Sequence, residues 1–471
     1  MSVAELGSAF TATGVERELC GWGRAARSRA RVLTPRTPEQ AAEAVASHRH
    51  GGLIARGMGR SYGDAAQSAG GTVIDMTELE RVIAIDPERR LITAEAGATI
   101  AGLMSALAPH RLTLPVVPGT RHVTLAGAIA SDIHGKNHHR DGAFARHVQS
   151  ISLCTAAGEV LELTDQSDPE LFFATLGGMG LTGVILSATL RVEPLAHPWV
   201  LEDLDRTAGL EHTLELMGGH EPRRYSVAWL DMLAPGASMG RALVSRADPL
   251  PHDACAPRSS RAQRLAKPYP AVLTGAPVLE IPERMPGGLL QPVAMRAFNA
   301  LRWASAPRAH RERPLPLAPY FFPLDAIGAW NRLYGRAGFL QHQFVVPSGQ
   351  EAQLRRCFEA LRGLPVYLAV FKRFGEAFGG PLSFPMGGWT LAADLPASAP
   401  GVRAGLDRLD ELVVACGGRV YLSKDLRLRR EHMSAMYPRL ASFHELRERV
   451  DPRGLMRSDL GTRLGLCGEA S

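Results

Sequence analysis

Apolar positions along residues 30–195 fall into short alternating runs and 3.6-residue patterns, separated by glycine-rich turns. In "GGLIARGMGRSYGD" an apolar run, Leu53 to Ala55, predicts a strand entering a glycine-rich turn, and "TVIDM" predicts another short strand. "RVIAIDPERRLITAEAGAT" reads as a hairpin, two alternating runs joined at Asp86-Pro87-Glu88. "IAGLMSALAPHRL" places Ile100, Leu103, Met104 and Leu107 at helical spacing. "VQSISLCTAAGEVLEL" predicts a second hairpin turning at Ala157-Gly158. "PELFFATLGGMGLTGVILSATLRV" predicts a helix, a glycine-rich loop and a strand. The strands are grouped instead of strictly alternating with helices, so the fold class is α+β.

Beyond Pro194 the pattern changes. Residues 196–415 hold strand candidates ("RYSVAWLDML", "FLQHQFVVP", "VYLAVFKRFG", "WTLAADLP") and two helices, "SGQEAQLRRCFEALRG" and "GVRAGLDRLDELVVACG". This predicts a sheet covered by helices. Residues 248–320 are rich in proline and arginine and read as a surface lid or partly disordered insertion. Within them "LLQPVAMRAFNALRWA" has amphipathic character, with Val293, Phe298, Leu301 and Trp303 as apolar members; a membrane-contact element is the second reading. The tail from Tyr421, "YLSKDLRLRREHMSAMYPRL", predicts a strand end leading into a helix.

The 471 residues suffice for two or three domains, and 45% hydrophobic with 21% charged residues is ordinary for a soluble globular protein. No apolar run is long enough to span a bilayer, and "MSVAELGSAF" lacks signal-peptide character. The expectation is a cytoplasmic protein or one peripheral at the inner membrane. Six scattered cysteines form no CxxC pair, which fits a reducing compartment. The net charge of +6 is dispersed among acids, so nucleic acid is not the expected partner; an anionic substrate or membrane surface fits better. Of 53 basic residues only Lys136, Lys267, Lys372 and Lys424 are lysines. Each is either a leftover of compositional bias or a place that needs a compact, titratable ammonium.

Two glycine-rich loops stand out. "ARGMGRSYGD" fits neither GxGxxG nor a GxxxxGK[ST] phosphate loop, yet its glycines let successive N–H groups turn toward an anion such as pyrophosphate. In "PGTRHVTLAGAIASDIHG" the small residues 126–131 let a flat ligand approach the backbone. The following "ASDIHGKNHH" concentrates Asp132, His134, Lys136, His138 and His139, but the histidines have no standard metal-ligand spacing, and no metal is expected. With the small residues before it, the stretch reads as a loop against a large flat cofactor, His134 facing its ring.

"GLIARGMGRSYGD", "VVPGTRHVTLAGAIASDIHGKNHHRDGAF" and "GGMGLTGVI" together resemble the FAD-linked oxidases of the vanillyl-alcohol oxidase/p-cresol methylhydroxylase fold. The resemblance continues nearly end to end through "LCGWGR", "FFPLDAIGAWNRLYGRAGFLQHQFVVP", "FKRFG", "PLSFPMGGWTLAADLP", "GGRVYLSKD" and "MYPRL", toward the branch that oxidises polyprenylphosphoryl ribose. It implies a two-domain α+β fold: an FAD-binding domain split between residues 1–195 and 416–471, and a substrate domain inserted at 196–415. It implies non-covalent FAD held by Arg56, Gly57, Met58, Gly59, Arg60, Ser61, Tyr62, Gly63, Asp64, Gly119, Thr124, Leu125, Ala126, Gly127, Ser131, Asp132, Ile133, His134, Ile185 and Tyr421. The implied substrate wall is Trp229, Tyr320, Gln341, Gln343, Lys372, Phe374, Thr390 and Ala392. Ala392 stands where the resemblance carries a cysteine, and Ala126 where it carries a glycine.

The chemistry implied is oxidation of a secondary alcohol, hydride leaving carbon for the flavin and the hydroxyl proton going to a base or water. Lys424, Tyr62 and His134 are the implied catalytic residues. An ordinary lysine is protonated at neutral pH, so Lys424 is expected to act by its charge before it acts as a base. The resemblance further implies a quinone-like electron acceptor, a separate NAD(P)H-dependent reductase completing an epimerisation to the arabinose donor, and peripheral membrane contact. The rival expectation is an oxidase of a soluble sugar or alditol.

Overall fold

The computed structural model describes residues 14–219, 223–254, 273, 275–283 and 290–467. The first ten residues, read as lacking signal-peptide character, Cys255, Lys267 and much of the 248–320 insertion lie outside them.

Three principal sheets carry the fold. The first joins β1 (Val15–Cys20), β2 (Arg27–Leu33), β3 (Leu53–Arg56) and β4 (Thr72–Asp75) in the order β1-β2-β4-β3, with β4 parallel to both neighbours. The second is antiparallel: β5 (Val82–Asp86), β6 (Leu91–Glu95), β8 (Val148–Cys154), β9 (Val160–Leu163) and β10 (Val184–Arg191), ordered β5-β6-β10-β8-β9. Both predicted hairpins are present, β5–β6 and β8–β9. A two-residue ladder pairs β7 (Leu112–Thr113) with β11 (Glu193–Pro194).

The third sheet has eight strands: β12 (Trp199–Arg206), β13 (Tyr225–Asp231), β14 (Arg241–Pro249), β16 (Ala309–Pro316), β18 (Phe339–Pro347), β19 (Leu368–Phe374), β20 (Gly388–Pro396) and β21 (Arg419–Val420). Their order is β16-β12-β14-β13-β19-β20-β18-β21. A short parallel pair, β15 (Leu279–Glu280) with β17 (Ile327–Gly328), lies outside it. The predicted helices Glu351–Leu361 and Val402–Ala415 bury Leu354, Phe358 and Leu361, and Leu406, Leu409 and Val413, at helical spacing. They cover one face of this sheet, where Phe344, Phe371 and Leu391 are fully buried. The opposite face is left to the functional cleft.

Three sequence-based readings change. Residues 309–316 are an edge strand of the large sheet, not lid. Their side chains alternate poorly in hydrophobicity because charge pairs take over: Arg311 with Asp205 and Arg313 with Glu202 on the neighbouring strand. The tail after Tyr421 is not one helix but a 3-10 turn at Leu422–Lys424 and short turns to Met436, before a helix at Leu440–Val450. The segment Leu125–Ala130 is a short helix capped by Thr124, whose side chain accepts from Gly127 N–H. As for the domain limits, β21 extends the large sheet five residues past 415, and the C-terminal segment returns to the first sheet. There Leu53 N–H donates to Leu455 C=O at 2.8 Å, and Arg463 pairs with Asp64 at 2.8 Å.

Candidate active site

The cleft wall follows from strand register. Side chains alternate between faces of a sheet, so cross-strand partners share a face. The register aligns Trp229 with Val370, Val370 with Ala392, and Ala392 with Gln343 across four strands. Two residues along, Lys372 lies opposite Thr390; two residues the other way, Gln341 lies opposite Asp394. The seven sheet residues expected at the substrate wall (Trp229, Gln341, Gln343, Lys372, Phe374, Thr390 and Ala392) therefore share one face. Gln341, Gln343, Lys372 and Ala392 line a cleft of about 300 Å³.

The opposite wall comes from the glycine-rich loop and the Leu125–Ala130 helix. Arg56 to Tyr62, Gly119, Thr124, Ala126, Gly127, Ser131, Ile133, His134, Ile185, Tyr421 and Lys424 all line the same cleft. The loop is fixed from behind. Trp22 N–H and Gly23 N–H donate to Ser61 and Tyr62 C=O at 2.8 and 3.1 Å, and Tyr62 N–H donates to Ser423 C=O at 2.9 Å. The Arg56 guanidinium is spent on the carbonyls of Cys20 and Ala66, so it shapes the loop.

Several expected site residues sit behind the cleft. Asp64 is held by Arg463. Gly63 is a packing position, since a Cβ there would lie 1.8 Å from Asp425 C=O. Leu125 is fully buried in its helix. Asp132, with a φ of +40°, accepts from Ala145 N–H at 2.9 Å and from the Ser383 hydroxyl, which bends the loop that presents His134. Burial pushes the Asp132 carboxyl up to about 7. Phe374 backs the His134 ring, centroids 4.8 Å apart. Thr390 accepts from Gln343. Tyr320 belongs to an aromatic cluster with Tyr225 and Phe321, and Trp229 lies under Arg302.

The clustered histidines separate. His138 accepts from Gly375 N–H and His139 meets Arg223 C=O, whereas His134 faces the cleft. The Gln343 amide donates to His134 Nε2 at 2.9 Å, which leaves the ring proton on Nδ1. That Nδ1 is buried and has no hydrogen-bond partner among the described residues. Burial and the nearby Lys372 hold His134 well below its ordinary pKa, so the ring is neutral.

Two of the three described lysines, Lys372 and Lys424, line this cleft, and the third, Lys136, lies at Tyr320 outside its lining. Lys424 Nζ lies 3.8 Å from the Tyr62 ring centroid, and burial pulls its amine down to about 7 against the opposing Asp394 charge. Lys372 is brought to about 7 by burial, then by Lys424 and Lys136. Lys136 is lowered to about 8 by burial and donates to Tyr320 C=O. Asp394, raised to about 7 by burial, accepts from Gln341 at 2.5 Å. Tyr62 is raised well above its ordinary value by burial, and so stays a phenol.

Sequence reasoning missed Trp22, Met179, Gly180, Asp325, Trp330, Leu368 and Val370, all on the cleft wall. The Arg60 guanidinium stacks 4.0 Å from the Trp22 ring centroid. The signal for Val370 was present in the strand parity of "VYLAVFKRFG", two residues before Lys372.

These residues fit a flavin nucleotide. His134 Nδ1 and Arg60 Nε are buried polar atoms without hydrogen-bond partners among the described residues, one suited to a carbonyl or ring nitrogen and the other to a phosphate. Gly119 has open space where a Cβ would stand, and Ala126, Gly127 and Ala130 present only small groups to the cleft.

Comparison with known proteins agrees. Residues 30–164 match the FAD binding domain family, and residues 401–464 match the D-arabinono-1,4-lactone oxidase family. The decaprenylphosphoryl-β-D-ribose oxidase of Mycolicibacterium smegmatis is 41% identical over 458 residues, covering 96% of this chain and 98% of that one. An uncharacterised Streptomyces coelicolor protein is 39% identical over 78% of this chain and 100% of its own length. The L-gulonolactone oxidase of Bos taurus is 33% identical, over only 35% of this chain and 36% of that one.

Proposed function

This chain belongs to the family of the decaprenylphosphoryl-β-D-ribose oxidases, FAD-dependent oxidoreductases acting on CH–OH groups, and on that premise we propose that it oxidises the 2′-hydroxyl of a polyprenylphosphoryl-β-D-ribose to the 2′-keto sugar. FAD, when bound, supplies the two-electron acceptor for the carbon-bound hydride. The loop Arg56–Tyr62, the residues 119–134 that line the cleft, Ile185 and Tyr421 are the groups that hold it.

The observation that carries the reading is the wall itself: Lys424, Lys372, Gln341 and Gln343 converge with a neutral His134 on one cleft between the flavin-binding segments and the large sheet. Lys424 takes the hydroxyl proton. An ordinary lysine would act there by its charge; burial lowers this amine to about 7, which supports its acting as a base near neutrality. Tyr62, kept a phenol by burial with its ring under the Lys424 amine, orients Lys424 and donates to substrate oxygen. Gln343 keeps His134 in one tautomer, with Nδ1–H directed as a donor. Lys372 is the cation available to the substrate phosphate, whose approach restores its charge.

The quinone-like acceptor, the separate NAD(P)H-dependent reductase that would complete the epimerisation, and peripheral membrane contact belong to this same reading. No described helix is long and apolar enough to cross a membrane. The test is the anaerobic visible spectrum of the FAD-loaded protein with a short-chain prenylphosphoryl ribose. Bleaching supports the reading; a spectrum that bleaches only with free sugars or lactones overturns the substrate.

A further inference from the structure

The helix Pro292–Ser305 is built inside out. Of its fourteen residues only Asn299 is buried, where it donates to Asp231 at 3.3 Å. Trp303 is the second anchor, its indole N–H donating to Thr207 C=O at 2.9 Å and its ring flanked by the Arg206 and Arg241 guanidinia. At 100° per residue, Val293, Ala294, Ala297, Phe298, Leu301 and Ala304 fall on one arc of roughly 140°. That arc points away from the anchors: Val293, Phe298 and Leu301 are 78%, 53% and 69% exposed. A helix that merely covered a sheet would turn these three inward.

Charge borders the apolar strip. Arg296 and Arg302 flank it and Arg308 follows, whereas Arg311 and Arg313 further along are paired with Asp205 and Glu202 of β12. The helix also sits beside the cleft. Arg302 lies 4.9 Å from the Trp229 ring centroid, and Trp229 is the register neighbour of Val370 on the cleft wall. An exposed apolar strip rimmed by arginine complements an anionic lipid surface, which takes apolar side chains between its acyl chains and arginines at its phosphates.

We infer that the outer face of Pro292–Ser305 docks on an anionic membrane and brings the cleft to a lipid-borne substrate. The inference rests on the proposed polyprenylphosphoryl substrate. Docking at this face shortens the path of the sugar from the lipid headgroup layer to the cleft while the polyprenyl chain stays in the bilayer.

The test uses the full chain loaded with FAD, and the triple variant Val293→Asn, Phe298→Asn, Leu301→Asn. Both are sedimented with vesicles of phosphatidylcholine, with and without phosphatidylglycerol. Because the three side chains are solvent-exposed, flavin content and thermal midpoint are expected to match wild type. The expected result is wild-type binding that requires phosphatidylglycerol and falls with salt, and at least tenfold weaker binding by the variant. Turnover of substrate carried in vesicles should fall in parallel, with turnover of a short-chain soluble substrate unchanged. Wild type that ignores anionic vesicles, or a variant that binds them equally, overturns the docking face; the second outcome would mean that this strip meets another protein or another part of the chain. Failure of every prenylphosphoryl ribose to bleach the flavin would strike the substrate reading instead, and vesicle binding would still be read on its own.

Discussion

Replacing Lys424 by methionine keeps the unbranched side chain up to the position of Cε and removes the amine. The structure sets the size of the effect. Lowering a lysine from 10.5 to about 7 corresponds to about 5 kcal/mol against the charged form, supplied mainly by burial. The amine is thus poised to exchange a proton near neutrality, where a general base is most effective. Removing it should slow flavin reduction by about 10²- to 10⁴-fold, or about 3–5 kcal/mol of barrier. FAD should remain bound, because the loop Arg56–Tyr62 is held by the backbone of Trp22, Gly23 and Ser423 and not by this side chain. The assay is anaerobic stopped flow with a short-chain prenylphosphoryl ribose between pH 5.5 and 9. In the wild type kcat/KM should rise through about pH 7 as Lys424 loses its proton, and the methionine variant should lose that limb. A Lys424→Met rate within tenfold of wild type would refute the base assignment. A wild-type profile that falls through pH 7, and still falls in Lys372→Met, would show that the charged Lys424 amine is the active form.

Three further outcomes follow from the same geometry. Asp394→Asn removes the charge that opposes the burial of Lys424, so the acid limb of the kcat/KM profile should move to lower pH, with an unmoved limb as the contrary result. Lys372 titrates near 7 when folded and near 10.5 when unfolded, so between these values the unfolded chain binds more protons and stability rises with pH. Lys372→Met should flatten that part of the slope in urea titrations of the apoprotein and stabilise it at pH 7. Gly63→Ala would drive a methyl against Asp425 C=O, costing at least about 1–3 kcal/mol by denaturant midpoint, whereas a position that only contacts FAD would show its loss in flavin affinity alone.

The local elements were largely legible. Alternating runs marked both hairpins of the second sheet and the strands β13, β18, β19 and β20, because a half-buried strand must alternate. Edge strand β16 was illegible for the opposite reason: it is secured by Arg311 and Arg313 to acids on β12, and such pairing leaves no hydrophobic period. The outward apolar arc of Pro292–Ser305 looked like an ordinary amphipathic helix, since periodicity reports a face without saying which way it points.

For the site, the sequence by itself determined which residue types were available. Motif order carried the FAD-linked family, glycine and alanine spacing gave the small-residue wall, and the scarcity of lysine singled out a few positions. Only the tertiary structure decided how they act. Strand register placed Gln341, Gln343, Lys372 and Ala392 on one face, and the return of the chain after β21 brought Lys424 over Tyr62. Asp64, Asp132 and Gly63 carry the residue types of a cofactor loop but are consumed in holding it, a distinction that depends on Arg463, Ser383 and Asp425, hundreds of residues away. Lys424 has the same amine in either state. Its proton affinity belongs to the fold, because desolvation and the Asp394 charge exist only once distant segments have closed around it.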